Sequence, residues 1–504
     1  MLVESLKISV LRPLLPLWNA VTLATLPLQT WAGASYVHRW IGALQTWRKS
    51  SWLMRHAEVI GGILLILLFG LAPFVPNALT GLLLAACGGW WFLLTITDDR
   101  SSTASLSAHA DAQEQTGATS GDTSPAQLGF TPIHLLVLLY WGVTIVATAL
   151  SPVRNAAIPG LAKFTLYLLG FALMARVLRS PQIRNWIITL YLHVALLVSS
   201  YGLRQWFFGA EALATWVDPT SPLSKTTRVY SYLGNPNLLA GYLIPAVVFS
   251  AVAIVAWKGW LPKLLAIVMF GVNSACMLVT FSRGGWIGMV VAMFVLAVLL
   301  VDWWSVHLPR VWRKLALPVV LGGSITVVVL AVLFVAPVRD RVLSMFLGRG
   351  DTSNNFRINV WIAVLDMIRA YPILGIGPGN VAFRQVYVLF QRPKFNALGA
   401  YSVFLEVAVE TGLVGLTCFL WLLIVTVYQG LSQLQHLRKA GNPQALWLIA
   451  AISTLFGMLG HGLVDTVWFR PEVNTLWWLM MATIASYYRP TPAVARVPSL
   501  EEPT

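Results

Sequence analysis

The chain has 504 residues, of which 57% are hydrophobic and only 11% are charged. Because about 25% of the residues in a soluble domain are charged, this composition excludes a water-soluble protein and indicates one integral to a membrane. The formal net charge of +15 would suit nucleic-acid binding. In a polytopic membrane protein, however, basic residues collect in cytoplasmic loops, so we interpret the excess as a topology signal and expect no nucleic-acid partner.

Twelve apolar runs are long enough to cross a bilayer, because a helix needs about 20 residues to span a hydrocarbon core of about 30 Å. They are predicted at 59–75, 79–97, 133–150, 157–178, 186–207, 237–256, 262–281, 284–302, 315–336, 401–428, 446–465 and 473–488. Backbone groups find no water partners in a bilayer, so helices are expected, and the sequence lacks β-barrel alternation. The predicted fold is therefore an all-α polytopic membrane protein with about 12 transmembrane helices.

The connections between these runs divide the chain further. The expected parts are a cytoplasmic N-terminal interfacial segment (1–58), a first helical hairpin (59–97), a disordered cytoplasmic linker (98–132), a membrane domain (133–336) with an outer loop (208–236), a large periplasmic loop (337–400), C-terminal membrane helices (401–488) and a cytoplasmic tail (489–504). The linker is predicted to be disordered because its Ser-, Thr- and Ala-rich composition offers too little apolar surface to offset the entropy of ordering it.

The distribution of basic residues predicts the orientation of the chain. With the N-terminus inside, 19 of the 34 Lys and Arg residues fall on the cytoplasmic side and 15 fall outside. Eight of those 15 lie in the loop 337–400, which is too long to count toward orientation, so the comparison becomes 19 against 7. Both termini are therefore predicted to be cytoplasmic.

The loop 337–400 has the features of an ordered functional segment. Its eight basic and three acidic residues give it a net charge of +5. A helical pattern runs from Phe356 to Ala370 and is ended by Pro372 and the glycine-rich turn at 375–379. Guanidinium groups bind phosphate and carboxylate oxygens through paired hydrogen bonds, so binding of an anionic substrate is one interpretation. Attraction to anionic lipid headgroups is the other.

Two further arginines lie at predicted outer ends of spans. Arg228 precedes Asn235-Pro236-Asn237, where the sixth span begins, and is interpreted either as an interfacial anchor beside a helix cap or as an anion ligand. Arg283 stands between two apolar runs and is followed by two glycines that permit close approach. An arginine at membrane depth is costly, so it marks either a functional site or a side chain that extends to the headgroups.

Acidic residues and one histidine lie within predicted spans. Glu406 and Glu410 are one helical turn apart and are expected on the same helix face, where they must be paired, protonated or in a wet cavity. His461 is expected to pair with Asp465 four positions later, as either a structural or a catalytic pair. The three cysteines form no C-x-x-C pair, so neither a disulfide framework nor a metal site is predicted.

Four segments, in the order found here, resemble the O-antigen ligase/polymerase superfamily. They are Arg228…Leu233-Gly234-Asn235-Pro236-Asn237-Leu238-Leu239-Ala240, Phe281-Ser282-Arg283-Gly284-Gly285-Trp286-Ile287-Gly288, Arg357…Trp361…Pro372-Ile373-Leu374-Gly375-Ile376-Gly377-Pro378-Gly379 and Glu410-Thr411-Gly412-Leu413-Val414-Gly415. Along nearly its whole length the chain is similar to the cyanobacterial IctB family, named for a proposed role in bicarbonate accumulation. The resemblance implies a GT-C-like architecture with a large outer loop, in a cyanobacterial inner membrane.

The resemblance also implies an activity. Ligases of the superfamily transfer a glycan from an undecaprenyl-diphosphate carrier to an acceptor at the outer face, without a metal or another cofactor. The resemblance assigns the diphosphate to Arg228 and Arg283, which are expected to converge on one outer-facing cavity. Asn235, Asn237 and Arg357 complete the candidate substrate-binding residues.

The chain departs from the superfamily at the catalytic position. The family's catalytic histidine belongs to a His-[Asn/Ser/Gln]-x9-Gly pattern, and counting back from Gly412 places Tyr401 where the histidine would be. A tyrosine has a pKa of about 10 and is a poor general base at neutral pH, where imidazole is well matched. The candidate catalytic residues are therefore Tyr401 itself, Glu410 and His461.

Three functions are compatible with these features. The first is a glycan ligase or polymerase, which would bind membrane lipids and an undecaprenyl-diphosphate-linked glycan. The second is a bicarbonate transporter or an accessory to its uptake, although the chain shows no inverted repeat of the kind common in transporters. The third is a non-catalytic protein that only binds a lipid-linked glycan.

Overall fold

The computed structural model describes residues 15–24, 26, 41–98, 130–211, 228–346, 348 and 352–489. Within these ranges the chain is α-helical and has no β-strand. Three short helices come first: α1 (Leu15–Val21), α2 (Gln45–Ser50) and α3 (Trp52–Arg55). The three cysteines are buried and free. The predicted all-α fold is confirmed.

Twelve apolar helices follow, one overlapping each predicted span, although their ends differ from the predicted ones by up to 11 residues. They are α4 (Ala57–Leu71), α5 (Asn77–Ile96), α6 (Pro132–Ala149), α7 (Arg154–Val177), α8 (Pro181–Phe208), α9 (Pro236–Ala256), α10 (Trp260–Val279), α11 (Arg283–Trp304), α12 (Arg310–Phe334), α16 (Val403–Lys439), α17 (Ala445–Gly462) and α18 (Pro471–Ser486). Ten of them are long and apolar enough to cross a membrane, whereas α4 and α18 have 15 and 16 residues. The chain is therefore a polytopic membrane protein.

Several of these helices begin where the local sequence supplies both a cap and a proline. Thr131, Ser180 and Asn235 each accept a hydrogen bond from a backbone N–H of the first helical turn, and each is followed by a proline at the first helical position. These side chains satisfy donors that the helix itself cannot pair, and proline loses no bond there because it has no N–H.

The most enclosed helices of the described bundle are α9, α17 and α18. Small residues let α11 and α17 approach closely, since a Cβ atom on Gly288 would lie 2.5 Å from the carbonyl oxygen of Gly457. Such contacts are typical of membrane helices. The hydrophobic effect does not favour helix association within lipid, so close backbone packing stabilises it instead. By contrast, the apolar window of α12 has no buried residue in the described part of the chain.

A cluster of ion pairs joins the ends of four helices, α2, α4, α5 and α7, at one end of the bundle. Arg176, at the end of α7, donates to Glu58 at 2.8 Å and to Asp98 at 3.1 Å, and Arg48 donates to Asp98 at 2.8 Å. Asp98 is the first residue of the predicted disordered linker, and it belongs to the folded bundle. The linker residues 99–129 lie outside the described residues.

The predicted periplasmic loop lies at the opposite end, which we call the loop end. It contains α13 (Ala336–Phe346), α14 (Thr352–Ala370) and α15 (Asn380–Tyr387). The helix expected from Phe356 thus begins four residues earlier and ends where predicted. Because successive spans alternate in direction, the starts of α7, α9, α11, α16 and α18 lie at the loop end.

The long helix α16 is broken near its start. Gly412 has φ 66° and ψ −172°, which interrupts the helical path that a continuous span would follow. A break inside a membrane span exposes backbone groups that cannot remain unpaired in lipid. The glycine-rich turn pairs them, because Ile376 and Gly377 donate their N–H groups to the carbonyls of Val409 and Glu410, each at 2.9 Å.

The other side of the break is paired by the same segment. Leu413 donates its N–H to the carbonyl of Pro372 at 2.8 Å, and Val414 donates to Ile373 at 3.3 Å. The segment 372–377 is also held to the rest of the bundle, since the Ser151 hydroxyl donates to the carbonyl of Ile376. The third and fourth superfamily-like segments therefore form one unit of structure.

We expect Gly412→Ala to destabilise the protein strongly. A Cβ atom there would lie 2.1 Å from the carbonyl oxygen of Ile373, and the positive φ alone costs a side chain about 1–3 kcal/mol. Gly142→Ala in α6 is the matched control, since no atom lies within 4 Å of its Cβ position. Thermal unfolding in detergent should show a lower midpoint for Gly412→Ala only, and equal midpoints would contradict the role given to the break.

Candidate functional site

The start of α9 positions two of the predicted substrate-binding residues. The Asn235 side chain caps the helix by accepting from the N–H of Asn237 at 2.8 Å and of Leu238 at 3.4 Å. This frees the Asn237 side chain, whose oxygen accepts from Arg228 Nη2 at 3.3 Å. Arg228 Nε also donates to the carbonyl of Thr280 at 3.1 Å. Asn235 therefore acts through the helix cap, and Asn237 contacts the arginine directly.

Asp465 joins this group to the loop. Its Oδ2 accepts from Asn237 Nδ2 at 2.7 Å and from Arg357 Nη2 at 3.3 Å, and its Oδ1 accepts from the N–H of Thr466 at 2.8 Å. Arg357 lies in α14 and also donates to Ser353 at 2.8 Å. Its Nε is buried and has no hydrogen-bond partner among the described residues. One carboxylate thus links the start of α9, the end of α17 and the loop helix.

Arg283 and Arg341 fix α13 against the start of α11. Arg283 Nη1 donates to the carbonyl and the hydroxyl of Ser344 at 3.2 and 3.3 Å. In return, Arg341 Nε donates to the carbonyl of Phe281 at 2.9 Å. Both arginines are buried, so the loop is held to the bundle by charged hydrogen bonds that water does not weaken. Arg341 was not singled out by the sequence, where it was one of eight basic residues in the loop.

The arginines are close enough to oppose one another electrostatically. The pKa of Arg228 is lowered to about 10, first by burial and then by the charges of Arg357 and Arg283, while Asp465 acts in the opposite direction. Burial and neighbouring positive charges disfavour the protonated guanidinium, whereas a neighbouring carboxylate favours it. The convergence of Arg228 and Arg283 on one cavity stays a prediction, and a bound anion would offset the positive charges of Arg228, Arg357 and Arg283.

Tyr401 lies beside the Arg357–Asp465 pair, immediately before α16. Its backbone is left-handed, with φ 51°, and its ring meets Phe356 edge-on at 5.4 Å. Burial raises the pKa of Tyr401 to about 12; Asp465 raises it and Arg357 lowers it. At neutral pH the side chain is therefore a neutral phenol, which can donate a hydrogen bond but cannot accept a proton efficiently.

The predicted hydrogen-bonded pair of His461 and Asp465 is wrong. The α17 helix ends at Gly462, so the two residues do not occupy successive turns, and Asp465 is bonded to Asn237 and Arg357 instead. Neither imidazole nitrogen of His461 has a hydrogen-bond partner in the described part of the chain. The ring is fully buried against α11, where a Cβ on Gly284 would lie 2.8 Å from it. The glycine therefore accommodates a side chain of the protein.

Glu406 and Glu410 line one cavity of about 150 Å³ at the loop end, as their spacing predicted. The cavity lies between α6, α7, α16 and α18 and is lined in addition by Tyr140, Thr144, Lys163, Phe164, Tyr167, Asn380, Phe419, Thr466, Asn474, Trp477 and Trp478, among others. Glu410 Oε1 accepts from the N–H of Gly379 at 2.7 Å, so the glycine-rich turn orients it. Glu406 Oε2 accepts from the N–H of Ala400.

Lys163 is a cavity residue that the sequence analysis missed. It donates a hydrogen bond from Nζ to the carbonyl of Phe469 and lies 6.0 Å from the centre of the Tyr167 ring. The signal was present, because a lysine within an apolar span is a candidate functional residue. It was overlooked because no motif surrounds it.

Thr466 connects the cavity to the arginines. Its hydroxyl donates to Glu406 Oε2 at 3.5 Å, and its N–H donates to Asp465. Asp465 in turn binds Arg357 and Asn237. The consecutive residues Asp465 and Thr466 therefore connect the arginines to the cavity that Glu406 and Glu410 line, and Tyr401 lies beside them.

Comparison with known proteins supports the resemblance seen in the sequence. The model of the O-antigen ligase family matches residues 265–420, which include Arg283, Arg357, Tyr401 and both cavity glutamates. No curated protein matches the chain. Residues 265–420 of this polytopic membrane protein are therefore similar to the O-antigen ligase family.

Proposed function

We propose that the protein transfers a glycan from an undecaprenyl-diphosphate carrier to an acceptor at the loop end of the bundle. The observation that carries this proposal is the group formed by Arg228, Arg357 and Asp465. Of the side chains bonded to the two arginines in the described ranges, Asp465 is the sole carboxylate. A diphosphate has oxygens in the number and spacing that guanidinium groups bind through paired hydrogen bonds.

The transfer reaction requires both the arginines and the cavity that Glu406 and Glu410 line. The acceptor hydroxyl oxygen bonds to the anomeric carbon of the donor sugar, and the bond from that carbon to the phosphate oxygen breaks. The electron pair leaves with undecaprenyl diphosphate, whose developing negative charge is stabilised by Arg228 and Arg357. The proton of the acceptor hydroxyl passes to a base of the protein.

Glu410 is best suited to be that base. It lines the cavity and is held by the N–H of Gly379, as a positioned catalytic carboxylate would be. Tyr401, with its raised pKa of about 12, is protonated at neutral pH. His461 is enclosed between helices and is not among the residues that line the cavity.

Binding of undecaprenyl diphosphate to the purified protein tests the proposal. We expect saturable thermal stabilisation by this lipid, because it compensates the buried arginine charges. Arg228→Gln and Arg357→Gln should each weaken binding about tenfold or more. Arg369→Gln, which changes an exposed arginine of α14 paired with Asp366, is the matched control and should bind like the wild type.

Equal binding by all three variants would show that the lipid binds through general surface charge and would contradict the proposal. Stabilisation by bicarbonate, abolished in Arg228→Gln and not reproduced by the diphosphate, would instead favour a function in inorganic carbon transport.

A further inference from the structure

The cavity between α6, α7, α16 and α18 has a size that restricts its contents. Its volume of about 150 Å³ is well above the ~10–15 Å³ that a single water molecule requires. Sites for drug-sized ligands begin at about 300 Å³. The cavity therefore has room for a small group such as a single ring.

Its lining combines aromatic faces with hydrogen-bonding groups. Trp477 and Phe419 are buried aromatic residues of the wall, and Glu406, Glu410 and Lys163 supply charged acceptors and donors. A sugar ring presents apolar C–H faces and a rim of hydroxyl groups, each of which both donates and accepts. Aromatic residues and carboxylates in one lining can contact both parts of such a ring.

A buried hydroxyl without a partner points independently to a ligand. Tyr167 lines the cavity and is only 4% exposed, yet its hydroxyl has no hydrogen-bond partner among the described residues. Buried polar groups are nearly always bonded, so an unbonded one in a cavity wall requires an explanation. A ligand hydroxyl in the cavity would provide the missing partner.

We propose that this cavity binds one sugar ring of the acceptor. The inference rests on the proposed function, which requires an acceptor hydroxyl beside a carboxylate. Glu406 is connected through Thr466 to Asp465, the partner of Arg357, so a ring in the cavity lies next to the group that would hold the donor's diphosphate. The acceptor hydroxyl can then give its proton to Glu410 as its oxygen attacks the donor sugar.

Tyr167→Phe tests this assignment because it removes only the unpartnered hydroxyl. Tyr242→Phe is a matched control, since Tyr242 is also buried with an unpartnered hydroxyl but does not line the cavity. Full-length protein in detergent is titrated with methyl glucoside, methyl galactoside and N-acetylglucosamine, with binding followed by saturation-transfer NMR. Binding of undecaprenyl diphosphate and the unfolding midpoint are measured on the same samples.

We expect saturable binding of at least one sugar, weakened about three- to tenfold by Tyr167→Phe and unchanged by Tyr242→Phe. Diphosphate binding and the unfolding midpoint should be unchanged in both variants. If the diphosphate binds but no sugar does, or if both variants bind sugar alike, the cavity assignment is overturned while the proposed function stands. If neither ligand binds, the proposed function fails and the assignment fails with it.

Discussion

Replacing Arg228 or Arg283 by alanine is expected to abolish detectable glycan transfer. Arg228 would lose a charge-assisted contact to the diphosphate, and loss of such a buried contact costs about 2–5 kcal/mol, or about 30- to 5,000-fold in rate. Arg283→Ala should have a comparable effect for two reasons. It removes a cation near Arg228, and it releases α13, which Arg283 holds through Ser344.

The rate of turnover of lipid-linked glycan by purified variants measures this effect. Arg369→Ala, an exposed arginine in the same loop, should keep the wild-type rate. Arg228→Lys separates charge from shape, because lysine keeps the charge but lacks the planar fork, and we expect an intermediate rate. Wild-type turnover by a folded Arg228→Ala protein would remove this arginine from the mechanism.

The catalytic position provides the second large effect. Tyr401→His should retain or raise glycan transfer, because it restores the histidine of the superfamily pattern beside Arg357 and Asp465. The backbone accepts the change, since Tyr401 has φ 51° and histidine is among the residues enriched in that region. Glu410→Gln should lower the rate about 10²- to 10⁴-fold if Glu410 is the base of the wild-type protein.

The pH dependence of the rate distinguishes the two bases. In Tyr401→His an unprotonated imidazole would be required, so the rate should rise with pH through about 6.5, the ordinary pKa of histidine. The double variant Tyr401→His, Glu410→Gln should recover part of the activity lost by Glu410→Gln alone. If Glu410→Gln has no effect, the base lies elsewhere.

The twelve spans could be predicted because a bilayer imposes a minimum apolar length, which a sequence displays directly. The break at Gly412 could not be predicted in this way. A glycine such as Gly412 is common in membrane helices, and the break exists because the distant segment 372–377 supplies the hydrogen bonds that the helix loses. Hydrogen bonding between segments this far apart along the chain produces no recognisable pattern in the sequence around Gly412.

The candidate site was predicted in part, because some of its residues give a local signal in the sequence and others depend on distant contacts. Arg228 and Arg283 stood out because charge is rare near apolar spans, and the charge of Arg283 lowers the pKa of Arg228, whereas their convergence on one cavity stays a prediction. The pairing of His461 with Asp465 failed because it assumed that the helix continues, whereas α17 ends at Gly462. Which side chain Asp465 binds depends on α9 and α14, which are far away along the chain.

Turnover in proteoliposomes tests the central claim most directly. The purified protein is offered undecaprenyl-diphosphate-linked glycan extracted from the producing cells, together with membrane acceptors, and in parallel labelled bicarbonate. We predict consumption of the lipid-linked glycan with release of undecaprenyl diphosphate, lost in Arg228→Ala and kept in Arg369→Ala, and no saturable bicarbonate uptake. Saturable uptake of bicarbonate without any turnover of the lipid-linked glycan would contradict the account.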